Sequence, residues 1–274
     1  MKKLIVLATL TLCAGACVPN FQNNAVDAAE GQSKGAPLPP TDQHWSYQGE
    51  TGPAHWSEIE QHCDCDGAQQ SPVNIVRIDV ADDATLTPIA FHYSDRVKIH
   101  DVTNNGHSIQ YNFERGDYMV VDSTSFNLVQ IHFHEASEHT IDGIRFPLET
   151  HFVHQSAGGR IAVLAVLARE GRGSRAFDFL ESYLPVVEGE TKTVDAYYDL
   201  TLNLPDDRDY YTYEGSLTTP PCTEGIAWYV LKTPVVVSVA QVEQLRALMP
   251  HNNYRTAQPT NGRTVAQMPA PLAM

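Results

Sequence analysis

Apolar and polar residues alternate one for one over several short stretches of this chain, the two-residue period of strands with one buried face. Residues 108–113 carry that pattern, and strands at 97–102 and 108–113 are predicted on either side of Asn104-Asn-Gly106, whose Asn-Gly pair tolerates the positive φ angles of a tight hairpin. Further strands are predicted at 118–121, 128–134, 149–154, 161–168 and 226–231. Residues 161–167 are apolar on both faces, which predicts a central, covered strand too short to span a bilayer. Helical spacing is confined to two places. Ser238 with Gln241 forms a capping box ahead of Val242, Leu245, Leu248 and Met249, and a second short helix is expected over about 174–183. Strands dominate, so the predicted fold class is β-rich α+β.

The polar face of one strand carries the chemistry. In 128–134, Gln130, His132 and His134 share one face, while Val129, Ile131 and Phe133 share the other; in 149–154, Glu149 and His151 share a face. Three neutral imidazoles on neighbouring strands offer zinc three ligands and leave a fourth position for water, the pattern of a catalytic site. Gln130 and Glu149 each stand two residues before a histidine on its own face, where an oxygen can take the free ring N–H and fix the tautomer.

The remainder of the chain sets the context. Residues 41–274 show no repeat, linker or shift in composition, and with 42% hydrophobic residues overall they read as one globular domain. Ahead of it, Lys2 and Lys3, an apolar run over 4–12 and Ala14-Gly-Ala-Cys17 form a signal peptide, 1–17, that could end in a lipobox with Cys17 as the lipidated residue. Residues 18–40, rich in Asn, Ala, Gly, Gln and Pro, read as a flexible stalk. The chain is therefore expected to be exported, periplasmic, and in contact with a membrane only through that lipid anchor. A formal charge of -15, with no cluster of Lys or Arg, argues against a nucleic-acid partner. Of five cysteines, Cys63, Cys65 and Cys222 remain in the domain, and export makes a disulfide plausible.

Motifs spread over nearly the whole domain resemble an alpha-class carbonic anhydrase of the exported bacterial kind. They include His44-Trp-Ser-Tyr47, Gln70-Ser-Pro-Val-Asn74, Asn104-Asn-Gly-His107, Gln130-Ile-His-Phe-His134, Ser137-Glu-His139, Glu149-Thr-His151, Ser216-Leu-Thr-Thr-Pro-Pro221 and Asn253-Tyr-Arg255, in the family's order. The resemblance implies a large twisted, mostly antiparallel mixed sheet of about ten strands with short peripheral helices. It also implies reversible hydration of carbon dioxide to bicarbonate by zinc-bound hydroxide, with His132, His134 and His151 as ligands and Gln130, Glu149 and the Asn253 backbone behind them. Thr218 would orient the attacking oxygen while donating to Glu138, Val153, Val163, Leu217 and Trp228 would form an apolar wall for the substrate, and Thr219 would neighbour bicarbonate. His107 would shuttle protons along water organised by Tyr47, Asn105 and Gln110, the last standing where the family more commonly has Asn. The alternation places His107 with the apolar Ile109, Tyr111 and Phe113 instead, an opposing hint weakened by its place beside a turn. By the same resemblance Cys222 pairs with Cys65, although Cys63 could take its place. Glu135, where Trp or Thr is frequent, departs from the family pattern. A homodimer stays open, as does a binding or adhesion module that keeps the fold with little activity. A peptide or ester hydrolase is disfavoured because no general-base carboxylate accompanies the histidines as in His-Glu-x-x-His enzymes.

Overall fold

A computed structural model describes residues 44–270. The expected signal peptide and stalk, with Cys17, lie outside the described residues. One mixed sheet of thirteen strands organises the rest, with a separate three-stranded sheet beside it. Eight strands matter for the site: β1 (Val97–Asn104), β2 (Ile109–Phe113), β3 (Thr124–His134), β4 (Leu148–Ser156), β5 (Ile161–Glu170), β6 (Thr191–Tyr198), β7 (Tyr210–Ser216) and β8 (Glu224–Leu231). They lie side by side in the order β6, β1, β2, β3, β4, β5, β8, β7. All neighbouring pairs are antiparallel except β5 with β8. As its double-sided apolarity predicts, β5 is central and buried through Ala162–Ala168.

The helices are short and peripheral. Helix α1 (Arg175–Glu181) starts at Ser174, whose hydroxyl accepts from Ala176 N–H; α2 (Val239–Arg246) starts at Ser238 with a complete capping box to Gln241. Gln241 also joins the two, its amide nitrogen donating to Ser174 O and Asp178 Oδ1. No described helix is long and apolar enough to cross a membrane.

Each sheet face has its own core. The main core takes Ile131 and Phe133 of β3, Phe152 of β4 and Leu164 and Val166 of β5, and α1 and α2 pack over it. The opposite face carries the histidines and, beyond them, a smaller apolar cluster around Val163, Trp228 and Val230.

A β-bulge decides which residues of β3 face which side. Val153 pairs with Gln130 but His154 pairs with Leu128, so Val129 has no partner across the ladder. Before the bulge the even-numbered Phe126 and Leu128 are buried in the main core; after it the odd-numbered Ile131 and Phe133 are. Val129 therefore does not share the face of Ile131 and Phe133 as a simple alternation predicts, and it is only half-buried. The shift leaves Gln130, His132 and His134 free to face away from the core.

Candidate functional site

Register brings the site together. His132 lies directly opposite His151 in the β3–β4 ladder and opposite Gln110 in the β2–β3 ladder; His134 lies opposite Glu149. Directly paired residues project from the same face, so these side chains converge. Ring centroids are 5.0 Å apart for His132 and His134, 5.1 Å for His132 and His151 and 4.6 Å for His134 and His151. One nitrogen from each ring comes within 4.8 Å of the others.

The other nitrogen of each ring meets an acceptor. His132 Nδ1 donates to Gln130 Oε1 at 2.9 Å, His134 Nδ1 to Asn253 O at 2.7 Å and His151 Nε2 to Glu149 Oε1 at 2.7 Å. A neutral imidazole has one N–H, so lone pairs are left on His132 Nε2, His134 Nε2 and His151 Nδ1. His134 Nε2 is buried with no hydrogen-bond partner at all. Burial holds all three rings below their ordinary pKa, His134 down to about 4, so they are neutral at pH 7. Three inward lone pairs with oriented outer nitrogens are the donor set zinc requires, and the residues present fit that ion.

Behind the triad lies a layer that the sequence showed only in part. Glu149 accepts from His151, from His139 Nδ1 at 2.7 Å and from His139 N–H at 2.8 Å, which holds its carboxylate well below the usual range against the opposing cost of burial. His139 also meets the Tyr213 hydroxyl at 2.7 Å. These bonds occupy the nitrogens with which His139, Glu149 and His151 would otherwise form a second metal group.

Glu138 is fully buried and its Oε1 accepts from Arg255 N–H at 2.8 Å. Its Oε2 makes no hydrogen bond and faces His134 Nε2 at 3.5 Å and His151 Nδ1 at 4.0 Å. Burial pushes this carboxyl up to about 7, with His151, Arg255 N–H and the Thr218 hydroxyl pulling the other way. The bond from Thr218 to Glu138 is thus not closed in this geometry, although buried Thr218 lies beside the carboxyl. Arg255, itself buried, ties Gln70 Oε1, Ser71 O and Cys65 O together.

At the rim, His107 precedes β2 in the turn, so strand parity does not govern it. Its ring stacks on Trp45 at 3.6 Å, its Nε2 meets His44 Nε2 at 2.9 Å, and burial together with His44 lowers it to about 4. Asn253 donates to His107 O and Phe133 O, tying this turn to β3. Asn105 Oδ1 accepts from His107 and Ser108 N–H, so it shapes the turn. Buried Tyr47 has its pKa raised by that burial and by Glu138.

The apolar wall adjoins His151. Val153 pairs with Val163 and Val163 with Trp228 across three strands, the Trp228 ring lies 4.9 Å from His151, and Leu217 packs on the same cluster. Thr219 O accepts from Cys222 N–H at 2.8 Å. Cys65 and Cys222 form a disulfide and Cys63 is free. Among the residues around the site, His139, His44, Trp45 and Arg255 were not singled out by the strand pattern. His44 and Trp45 stand in a motif with Tyr47, and Glu138-His139 in another, which is the signal that could have found them.

A family model described as eukaryotic-type carbonic anhydrase matches residues 51–269. The carbonic anhydrase of Klebsiella pneumoniae is 39% identical over 228 residues, 82% of this chain and 91% of that protein. A solved alpha-carbonic anhydrase from Thermovibrio ammonificans, in complex with the inhibitor sulfanilamide, superposes with a TM-score of 0.77 at 40% identity, covering 81% of this chain and 98% of that one. Dioscorin complexed with ascorbate is also similar, with a TM-score of 0.77 at 32% identity over 84% of this chain and all of that one. Fold, triad and kinship agree on a class of enzyme that interconverts carbon dioxide and bicarbonate. The chain belongs to the alpha, or eukaryotic-type, carbonic anhydrase family.

Proposed function

We propose that the protein hydrates carbon dioxide reversibly with a zinc ion held by His132, His134 and His151. The observation that carries this reading is the set of three inward lone pairs, each fixed by an acceptor on the ring's far side. Zinc there supplies Lewis acidity that makes hydroxide available near neutral pH, an effect for which carbonic anhydrase is itself the standard example. Thr218 and Glu138 orient the attacking oxygen. Val153, Val163, Leu217 and Trp228 receive the uncharged substrate, and Thr219 lies beside the product.

His107 carries the proton out. Stacked on Trp45 it is held down to about 4 and takes up a proton poorly, so the role requires it to turn towards solvent, where an imidazole titrates near 6.5. Tyr47, Asn105 and Gln110 line its water route. The Cys65–Cys222 disulfide suits an oxidising compartment, in keeping with export; the signal-like N-terminus ending at Cys17 is what suggests the periplasm and a lipid tether there. A binding role without catalysis, on the fold shared with dioscorin, is the alternative; a complete and correctly oriented triad favours the enzyme.

Stopped-flow hydration of carbon dioxide by the purified protein, before chelation, after it and after zinc is restored, tests the reading. Activity should vanish and return with zinc. Inactivity of a folded, zinc-loaded protein would refute it. The mass of the N-terminal peptide from membrane extracts decides between acylated Cys17 and a plain terminus.

A further inference from the structure

A second bulge brings a charged residue to the histidine face. In the β1–β2 ladder Ile99 pairs with Phe113 and Asp101 with Asn112, so His100 has no partner. Val97 and Ile99 face the main core before the bulge and Val102 does so after it, which delivers Asp101 to the opposite side. There three donors converge on its carboxylate: His100 Nδ1 at 2.5 Å, Asn112 Nδ2 at 2.6 Å and Thr103 Oγ1 at 3.3 Å.

A carboxylate only accepts. Asn112 must therefore present its NH2 to Asp101, which leaves Asn112 Oδ1 to accept from Gln110 Nε2 at 2.7 Å. Gln110 Oε1 is then left without a hydrogen bond to the described residues, on a side chain set directly opposite His132. Turning over either amide would set two acceptors face to face, so the order Asp101, Asn112, Gln110 has a single polarity.

We propose that Asp101 is a positioning residue for proton export: through Asn112 it fixes Gln110 with its carbonyl oxygen towards the water beside the histidine triad. The proposal rests on the hydration reading. A water that donates one hydrogen to Gln110 Oε1 keeps a lone pair open for the proton leaving the centre and a second hydrogen to pass outward. An NH2 at the same place would take up one of the water's two lone pairs and make it a poorer acceptor for that proton. No bond of substrate changes at Asp101; only the direction of a hydrogen-bond chain depends on it.

Two variants test this. Asp101→Lys replaces an acceptor with a donor and reverses the chain, while Asn112→Leu cuts it without touching either end. Both should lower kcat about tenfold at low buffer, leave kcat/KM within about twofold, and recover with added imidazole. Neither should lower kcat further in a Gln110→Leu background, because the effect passes through Gln110. In the chelated protein, the side-chain carboxamide NMR signals of Gln110 should shift in both variants. Equal losses with and without Gln110, a loss of kcat/KM, or unmoved carboxamide signals would overturn the proposal. An inactive wild-type protein would overturn the hydration reading first, and the proton-export role with it, whatever the carboxamide spectrum shows.

Discussion

Glu181 should make the fold less stable as pH rises. It closes α1, is only 8% exposed, and its Oε1 is buried with no hydrogen-bond partner. Burial raises its carboxyl from 4.5 to about 7, and Asp178 one turn back adds to the rise. Because the folded-state pKa lies above the unfolded one, the favourable contribution is complete below about 4.5 and is lost as pH climbs through 7. A shift of that size corresponds to about 3 kcal/mol between the two protonation states. Glu181→Gln keeps the shape and removes the charge, so the variant and the wild type should be nearly equal at about pH 4.5, while at pH 8 the variant gains most of that energy. Guanidinium unfolding followed by tryptophan fluorescence at both pH values reads the difference as a change in midpoint at constant slope. A gain at pH 8 no larger than at pH 4.5 would refute the argument, since polarity rather than charge would then be what the site resists.

Four further outcomes follow from the site and the disulfide. Replacing Cys65 and Cys222 together by Ser opens a link spanning 157 residues and should cost about 5 kcal/mol by loop entropy, read from denaturant midpoints; a loss under about 1 kcal/mol would contradict it. Gln130→Ala should weaken zinc about 10- to 100-fold in chelator competition by freeing the His132 ring, whereas His132→Ala should abolish hydration outright. His107→Ala should slow turnover at low buffer by at least about tenfold, with kcat/KM unchanged and imidazole restoring the rate; full activity at low buffer would remove His107 from the proton path.

The triad was legible because strand alternation is local: His132 and His134 declare their shared face within three residues, and Glu149 with His151 do the same. The helix starts were legible for the same reason, since Ser238 and Gln241 are only a turn apart. What escaped was whatever depends on pairing at a distance. The first residues of β3, Thr124 to Asn127, were missed because the bulge at Val129 breaks the period between Leu128 and Gln130. β6 was missed because it is a polar, mostly exposed strand at the end of the main row with its own register shift, and β7 because Tyr210, Tyr211 and Tyr213 are buried without alternating. His139 behind Glu149 and Asp101 behind Asn112 likewise belong to no single-strand pattern; only the ladders bring them into place.

Because a strand has a period of two, the bulges at Val129 and His100 act as frameshifts that the fold has absorbed. Each lets one continuous strand feed the main core from even positions on one side of it and odd positions on the other, and each puts polar groups on the outer face just where the phase changes. Were the bulge ironed out with Val129 kept in regular alternation, Phe126 and Leu128 would fall on the same face as His132 and His134, whereas deleting Val129 itself would leave Phe126, Leu128, Ile131 and Phe133 together on the core face. Length along these strands is therefore guarded more strictly than identity: the bulged residue itself can change or be lost with the faces kept, while the loss of one residue between the bulge and the core positions beside it exchanges inside for outside along half a strand.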